Sequence, residues 1–371
     1  MEKPSKRNIL LCSPYLGATG GISRWTEHIL SYYAKNKIDD LTLSYYYESI
    51  EAGLNNLSRW RRSIIGIKNY TRIYKGLLRH LEQQKFEVVH FCSSASISLI
   101  KDIVFLKSVK KRGVRSVIHF RFGRIPELYQ RRNWEQKLLH RAIKLANKAV
   151  VIDQLSYDTL LKEGYKNIEL LSNPLAPEVI EIIEKNKCIE REDRKIVFAG
   201  HCVEAKGIFE LIEACKDIDN IKLKMIGFVS EETRLKLLEK AGSNSFKWLE
   251  IAGEKDFETT IKEMLSAGVF VLPTYTEGFP NVILESMACA CPIVTTKVGA
   301  IPEILNIANG ENHGICIDPR NVEQLKHSIQ KMLNDKEYAL QCGKNAQKRV
   351  NETYSMPLVW HELESIWRKL I

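Results

Sequence analysis

Leu272-Pro273-Thr274-Tyr275-Thr276-Glu277-Gly278-Phe279-Pro280-Asn281-Val282-Ile283-Leu284-Glu285-Ser286-Met287-Ala288 is the stretch on which the fold turns. An apolar run over 268–273 stops at a proline. A turn rich in Gly and Pro follows, and a helical pattern begins near Asn281. In a parallel sheet such a turn lies at the carboxyl edge of a strand, where ligands bind. The N–H groups that open the next helix suit an anion. Glu277 sits in the loop and Glu285 in the helix. With seven residues between them they cannot pair on one helical face, but they can reach opposite ends of one extended ligand.

The same strand-loop-helix order recurs at Lys195-Ile196-Val197-Phe198-Ala199-Gly200-His201-Cys202-Val203-Glu204-Ala205-Lys206-Gly207-Ile208. Lys206, near a helix start, is placed to meet a diphosphate. Apolar runs over 8–13, 41–47, 87–93, 115–120, 149–153 and 168–172 mark strands in the first half. Runs over 195–200, 221–227, 248–253, 268–273, 292–296 and 314–317 mark them in the second. They are rich in Val, Ile and Leu without strict alternation, as strands buried on both faces of a parallel sheet are. With helical patterns between them, each half reads as a doubly wound α/β unit. A length of 371 residues fits two such domains. The expected boundaries are 1–174 and 175–353, with the turn at Ser172-Asn173-Pro174 as linker. An amphipathic helix follows in the last stretch, with apolar residues at 359, 360, 363, 366, 367 and 370.

The apolar fraction of 44% excludes bulk disorder. Net charge is +10, unevenly spread. Residues 1–175 carry 30 Lys/Arg against 15 Asp/Glu, or +15, and the remainder carry 25 against 30, or −5. A basic half suits nucleic acid, an anionic membrane or a phosphorylated substrate. Residues 60–81 read as one helix, with Trp60, Ile64, Ile67, Tyr74, Leu78 and Leu81 on one face. Arg61, Lys68, Arg72, Lys75 and Arg79 cluster on an adjacent face, an arrangement that fits an anionic bilayer. Arg131, Arg132, Lys137, Arg141, Lys144 and Lys148 form a second basic set. The nine cysteines are scattered, with no Cys-x-x-Cys, so neither zinc nor a disulfide framework is expected. No leader and no transmembrane segment are expected, and the compartment expected is the cytoplasm.

Two further features point to a ligand edge. Gly20-Gly21 follows the first strand and precedes a helix, so backbone can approach a ligand closely there. The Gly-x-Gly-x-x-Gly spacing of a dinucleotide loop is absent. His119, in Ile118-His119-Phe120-Arg121-Phe122-Gly123-Arg124, closes a strand of the first half.

Together these phrases resemble the retaining glycosyltransferases of family 4 (glycosyl transferases group 1), of GT-B fold. The likeness is strongest over 195–317. The phrase Glu-Gly-Phe-Pro-Asn-Val-Ile-Leu-Glu is its most specific element, and Cys291-Pro292-Ile293-Val294-Thr295-Thr296 with Gly299-Ala300-Ile301-Pro302-Glu303 adds to it. The resemblance implies two facing Rossmann-like domains with a nucleotide-sugar in the cleft. It implies that Glu285 holds the ribose hydroxyls. Glu277 and the backbone of Gly278, Phe279, Pro280 and Asn281 would hold the donor sugar and diphosphate. Lys206 would neutralise the leaving group, Gly20 and Gly21 would contact the donor, and His119 would sit beside the sugar. The helix 354–371 would cross back to the first domain. The family usually has Arg where this chain has His201, and a neutral imidazole cannot fork onto phosphate as Arg does. Either His201 serves as a weaker donor, or Arg24, Arg121 or Arg124 takes that place.

A diphosphate leaving group needs positive charge and N–H dipoles, not a covalent nucleophile. Asp217-Ile218-Asp219 reads as turn chemistry rather than a metal-binding Asp-x-Asp, so no metal and no cofactor beyond the nucleotide-sugar is expected. The expected reaction is transfer of a hexose-type sugar, from a UDP-sugar first of all, to a lipid-linked saccharide in cell-surface polysaccharide synthesis. The protein would then lie peripherally at the inner membrane face. The alternatives are a non-hydrolysing sugar-nucleotide epimerase, a nucleic-acid-binding protein and a catalytically silent sugar-nucleotide-binding subunit. The basic half lacks a nucleic-acid motif.

Overall fold

The computed structural model describes residues 6–14, 20–36, 38, 40–47 and 59–371, with the backbone alone for 59–67. All twelve apolar runs are strands. In the first half they are β1 (Arg7–Ser13), β2 (Leu41–Tyr47), β3 (Val88–Ser93), β4 (Arg115–Phe120), β5 (Lys148–Val151) and β6 (Ile168–Leu170). In the second they are β7 (Glu192–Ala199), β8 (Lys222–Ile226), β9 (Leu249–Gly253), β10 (Ala267–Leu272), β11 (Ile293–Thr296) and β12 (Ile315–Ile317). Every pairing is parallel. The sheets run β2-β1-β3-β4-β5-β6 and β12-β11-β10-β7-β8-β9.

The chain divides into two compact units, Met1–Ser172 with Val359–Ile371, and Asn173–Leu358. The division falls at the Ser172-Asn173 step. Residues 354–358 stay with the second unit, because Leu175 N donates to Tyr354 O (2.7 Å) and Tyr354 lies edge-on to Phe279.

In the first unit, alternate strand residues face opposite ways. Leu10, Cys12, Val89, Phe91, Ile118 and Phe120 enter one core with Leu99, Ile103, Leu106, Leu139 and Ile143 from the helices Ser98–Lys111 and Trp134–Leu145. His90, Cys92, Val117 and His119 face the other way. There His90 and His119 meet Trp25 of the helix Gly21–Lys35, and His90 meets Trp367 of the helix Met356–Arg368. Trp360, Leu363, Ile366 and Trp367 are all buried, and Arg368 pairs with Asp40 at 2.8 Å.

The helix expected at 60–81 spans Arg59–Gln83. Its buried stripe centres on Ile73 and Leu77, flanked by Tyr74 and Leu81 and not led by them. The apolar face therefore turns into the core. Lys68, Arg72, Lys75 and Arg79 are exposed. The side chains of Trp60, Arg61, Ile64 and Ile67 lie outside the described residues. Of the second basic set, Lys148 is held by Glu169 (2.6 Å) in the sheet. Among the described residues no helix is long and apolar enough to cross a membrane.

Numbered from β7, the second sheet has the order 3-2-1-4-5-6 of dinucleotide-binding sheets. Strand order reverses between β7 and β10, so the loops leaving those two strands flank the crevice where such sheets take ligands. Asp217 to Asn220 form a turn ahead of β8, with Asn220 at φ 53°. Asp217 faces Lys326 (3.5 Å), and Asp219 O accepts from Arg194 (2.5 Å).

Candidate functional site

The two phrases that decided the fold leave the carboxyl ends of β7 and β10, and the backbone locks them together. Tyr275 N donates to Ala205 O (2.8 Å), and the Thr274 hydroxyl donates to the same carbonyl (3.2 Å). Gly207 adopts φ +68°, and a Cβ there would lie 2.0 Å from Pro273 O. Gly299 at φ +54° would place a Cβ 2.1 Å from Glu277 O. Only glycine fits either approach. Ala300 N donates to Gly278 O (3.0 Å), and the Thr296 hydroxyl donates to Thr274 O (2.6 Å). The loop 273–280 is thereby held from both sides.

Lys206 does not open an α-helix. It ends a 3-10 turn, Glu204–Lys206, and Gly207 then caps the helix Ile208–Cys215. Its ammonium forms an ion pair with the Glu277 carboxylate, both side chains being mostly buried. The helix Asn281–Ala288 starts at Pro280 without a side-chain cap, whereas Asn133, Asp153, Ser230, Asp256, Asn321 and Asp335 cap helices elsewhere. Uncapped N–H groups leave the helix end open to an external acceptor. Glu285 lies one turn into that helix and is 6% exposed. Phe279 is buried, and Asn281 Oδ1 accepts from Asn173 Nδ2 (2.8 Å). Asn173 also donates to Phe279 O (3.3 Å). His201 is exposed, with its ring 6.2 Å from that of Phe228. Arg320, which the sequence reading did not single out, lies 4.6 Å over the Tyr275 ring.

In the first unit, Gly20 is the N-cap of the helix that opens at Gly21; both are exposed, and no side chain caps that helix. His119 is fully buried on β4, opposite Cys92 of β3. Its Nδ1 lies 3.2 Å from His90 Nε2, and its Nε2 lies 3.3 Å from Arg121 Nη1. Trp367 Nε1 donates to His90 Nδ1 (3.0 Å). Burial pushes His90 down to about 3 and His119 well below the usual imidazole range, so both rings are neutral. Ligand atoms of His90, Cys92 and His119 lie within 4.8 Å of one another, but the two rings spend one nitrogen each on their mutual contact. Of the arginines weighed as substitutes at His201, Arg124 is held by Glu135 (3.1 Å). The Arg121 guanidinium lies over Trp25, 4.6 Å from the ring centroid, and burial lowers it to about 10, still charged at neutral pH. The sequence reading did not find His90, Trp25 or Trp367 here.

Residues 179–349 match the model of the family glycosyl transferases group 1. That stretch, a little under half of the chain, is similar to a group 1 glycosyltransferase domain. The chain is 30% identical over 197 residues to the capsular polysaccharide biosynthesis glycosyltransferase CapM of Staphylococcus aureus, covering 51% of this chain and 49% of that protein. The chain spans about half the length of the curated relatives it matches. In fold it is similar to sucrose-phosphate synthase of Thermosynechococcus elongatus (TM-score 0.74, 15% identity, covering 98% of this chain and 99% of that one). It is also similar to Anabaena HepE in complex with UDP (TM-score 0.70, 14% identity, 98% and 100%). At such identities the likeness concerns the fold, which is GT-B.

Proposed function

We propose that this protein is a retaining glycosyltransferase that moves a hexose-type sugar from a nucleotide-sugar, UDP first of all, to a lipid-linked saccharide in cell-surface polysaccharide synthesis. The observation that carries the reading is the meeting of the Lys206 and Glu277 loops at the reversal of strand order, beside an uncapped helix N-terminus. Charge that develops on a departing diphosphate is stabilised by a fixed ammonium and by aligned N–H dipoles, neither of which has to reorganise. Lys206 supplies the first, and Glu277 keeps it aimed. The opening residues of the helix Asn281–Ala288 supply the second, and in this reading Glu285 would hold the ribose hydroxyls. No step needs a metal or a cofactor besides the co-substrate. The capsular relative supports the polysaccharide setting, and the HepE complex supports UDP. The exposed Lys68, Arg72, Lys75 and Arg79 support an anionic membrane face.

A thermal-shift panel of UDP-, GDP- and ADP-sugars, followed by radiolabel transfer to membrane lipid, tests the donor and the acceptor. Glu285→Ala is expected to weaken nucleotide binding by about a hundredfold, the worth of two hydrogen bonds to a charged group. Unchanged affinity in calorimetric titration rejects that role. Liposome flotation that ignores both anionic lipid and salt rejects the membrane face. A second reading, a silent sugar-nucleotide-binding subunit, draws on His201 at the place of the family's arginine. Donor binding without any transfer would favour it.

A further inference from the structure

The contacts along Trp367, His90, His119 and Arg121 do not balance as hydrogen bonds. The indole N–H only donates, and so does the guanidinium. Each neutral imidazole offers one N–H and one lone pair. Three contacts are thus served by four protons and two lone pairs, so one contact must be donor against donor. Trp367 to His90 is 3.0 Å and buried at both ends, which makes His90 Nδ1 the acceptor and puts its proton on Nε2. That proton points at His119 Nδ1, 3.2 Å away. His119 must then carry its own proton on Nε2, facing Arg121 Nη1 at 3.3 Å. The longest contact, at the one half-buried end, is the one left unmade.

Arg121 has no carboxylate partner among the described residues, and its Nε is buried without a partner. A guanidinium so placed carries a desolvation cost that the Trp25 ring offsets only in part. Two donors converge there, and what is missing is an oxygen with lone pairs.

We infer that Trp367, acting through His90, fixes His119 as an Nε2–H donor, and that this donor and the Arg121 guanidinium together form a site in the first unit for an oxyanion of phosphate type. Trp367 and His90 are positioning residues: they touch no ligand, and they decide which nitrogen of His119 carries the proton. Trp25 holds Arg121 from one side and meets the His119 ring edge-on, 5.1 Å between centroids. The inference deepens the glycosyltransferase reading, since both the donor and a lipid-diphosphate acceptor carry such oxygens.

The test uses the full-length protein labelled with 15N-histidine. The ring nitrogen shifts of His119 are expected to report the Nε2–H tautomer. Trp367→Phe, which keeps an aromatic ring and removes the donor, is expected to give a mixture of tautomers. Inorganic phosphate is then titrated. The His119 Nε2 signal should move, and Arg121→Gln should weaken that response at least about tenfold. An Nδ1–H tautomer in the unaltered protein overturns the inference, and so does a phosphate response equal in Arg121→Gln. Should Trp367→Phe fail to fold, the tautomer of the unaltered protein still decides. Repeating the titration with saturating UDP separates the sources. Loss of the phosphate response assigns the site to the donor diphosphate, and its persistence assigns it to an acceptor phosphate. Neither readout needs turnover, so the inference and the transferase reading can fail independently.

Discussion

Both units are six-stranded parallel sheets with a reversal of strand order, yet their carboxyl edges are made of different material. In the second unit the edge is mostly backbone. At Gly207, Gly227 and Gly299 an added Cβ would lie 2.0, 2.0 and 2.1 Å from a carbonyl oxygen, so loops touch main chain to main chain. In the first unit a packed layer of side chains runs from the sheet's face up to that edge: Trp367, His90, Trp25, His119 and Arg121. An edge of backbone admits few substitutions, because each changes the path of the chain. An edge of side chains can be retuned residue by residue.

The contrast breaks most severely at Gly207→Ala. It forces a methyl into Pro273 O at a left-handed φ, and about 3 kcal/mol of stability should be lost from the second unit. Denaturant midpoints from probes in each unit would show the loss in one transition only; a shared loss would mean that the units are not energetically separate. Next comes Lys206→Ala, expected to lower kcat about a hundredfold, with Lys206→Ala/Glu277→Gln restoring the melting temperature that the unpaired Glu277 costs but not the activity. Activity within a few-fold would make Lys206 a structural partner of Glu277 and nothing more.

A pH dependence sharpens the comparison from the other side. His90 and His119 are held neutral by burial, His90 at about 3, so the unfolded chain takes up their protons first as pH falls. Their contribution is fully present above about pH 6.5 and declines below it by up to about 1.4 kcal/mol per pH unit for each ring. The second unit has His313 lowered by burial in the same direction, a single ring against two. Urea midpoints between pH 7.5 and 5 should fall faster for probes in the first unit, and parallel declines would refute the assignment.

How much of this was legible in the sequence varies with the range of the interaction. The twelve strands came from local apolar runs, and the Glu277 to Glu285 phrase came from a turn followed by a helix. The reversal between β7 and β10 is a property of strand order, which no local pattern encodes. The ion pair of Lys206 with Glu277 spans 71 positions, and the contact of Trp367 with His90 spans 277. His90 reads as one polar residue in Val88-Val89-His90-Phe91, and only its partners explain why it is buried there. The helix Arg59–Gln83 shows the same limit: the basic residues were placed on the exposed side, but the apolar stripe was rotated by one position because packing on Phe105 and its neighbours was not visible.

The return of residues 359–371 to the first unit has a consequence in time. During synthesis the first sheet, the helix Gly21–Lys35 and their buried histidines are made long before Trp360, Leu363, Ile366 and Trp367 exist to cover them. The whole second unit must leave the ribosome in between. The first unit therefore waits, with an apolar face open, for its final helix, and the second is the one able to finish as it emerges. A nascent chain stalled before residue 359 would carry all the residues of the second unit and an unfinished first one, the form on which a chaperone would act.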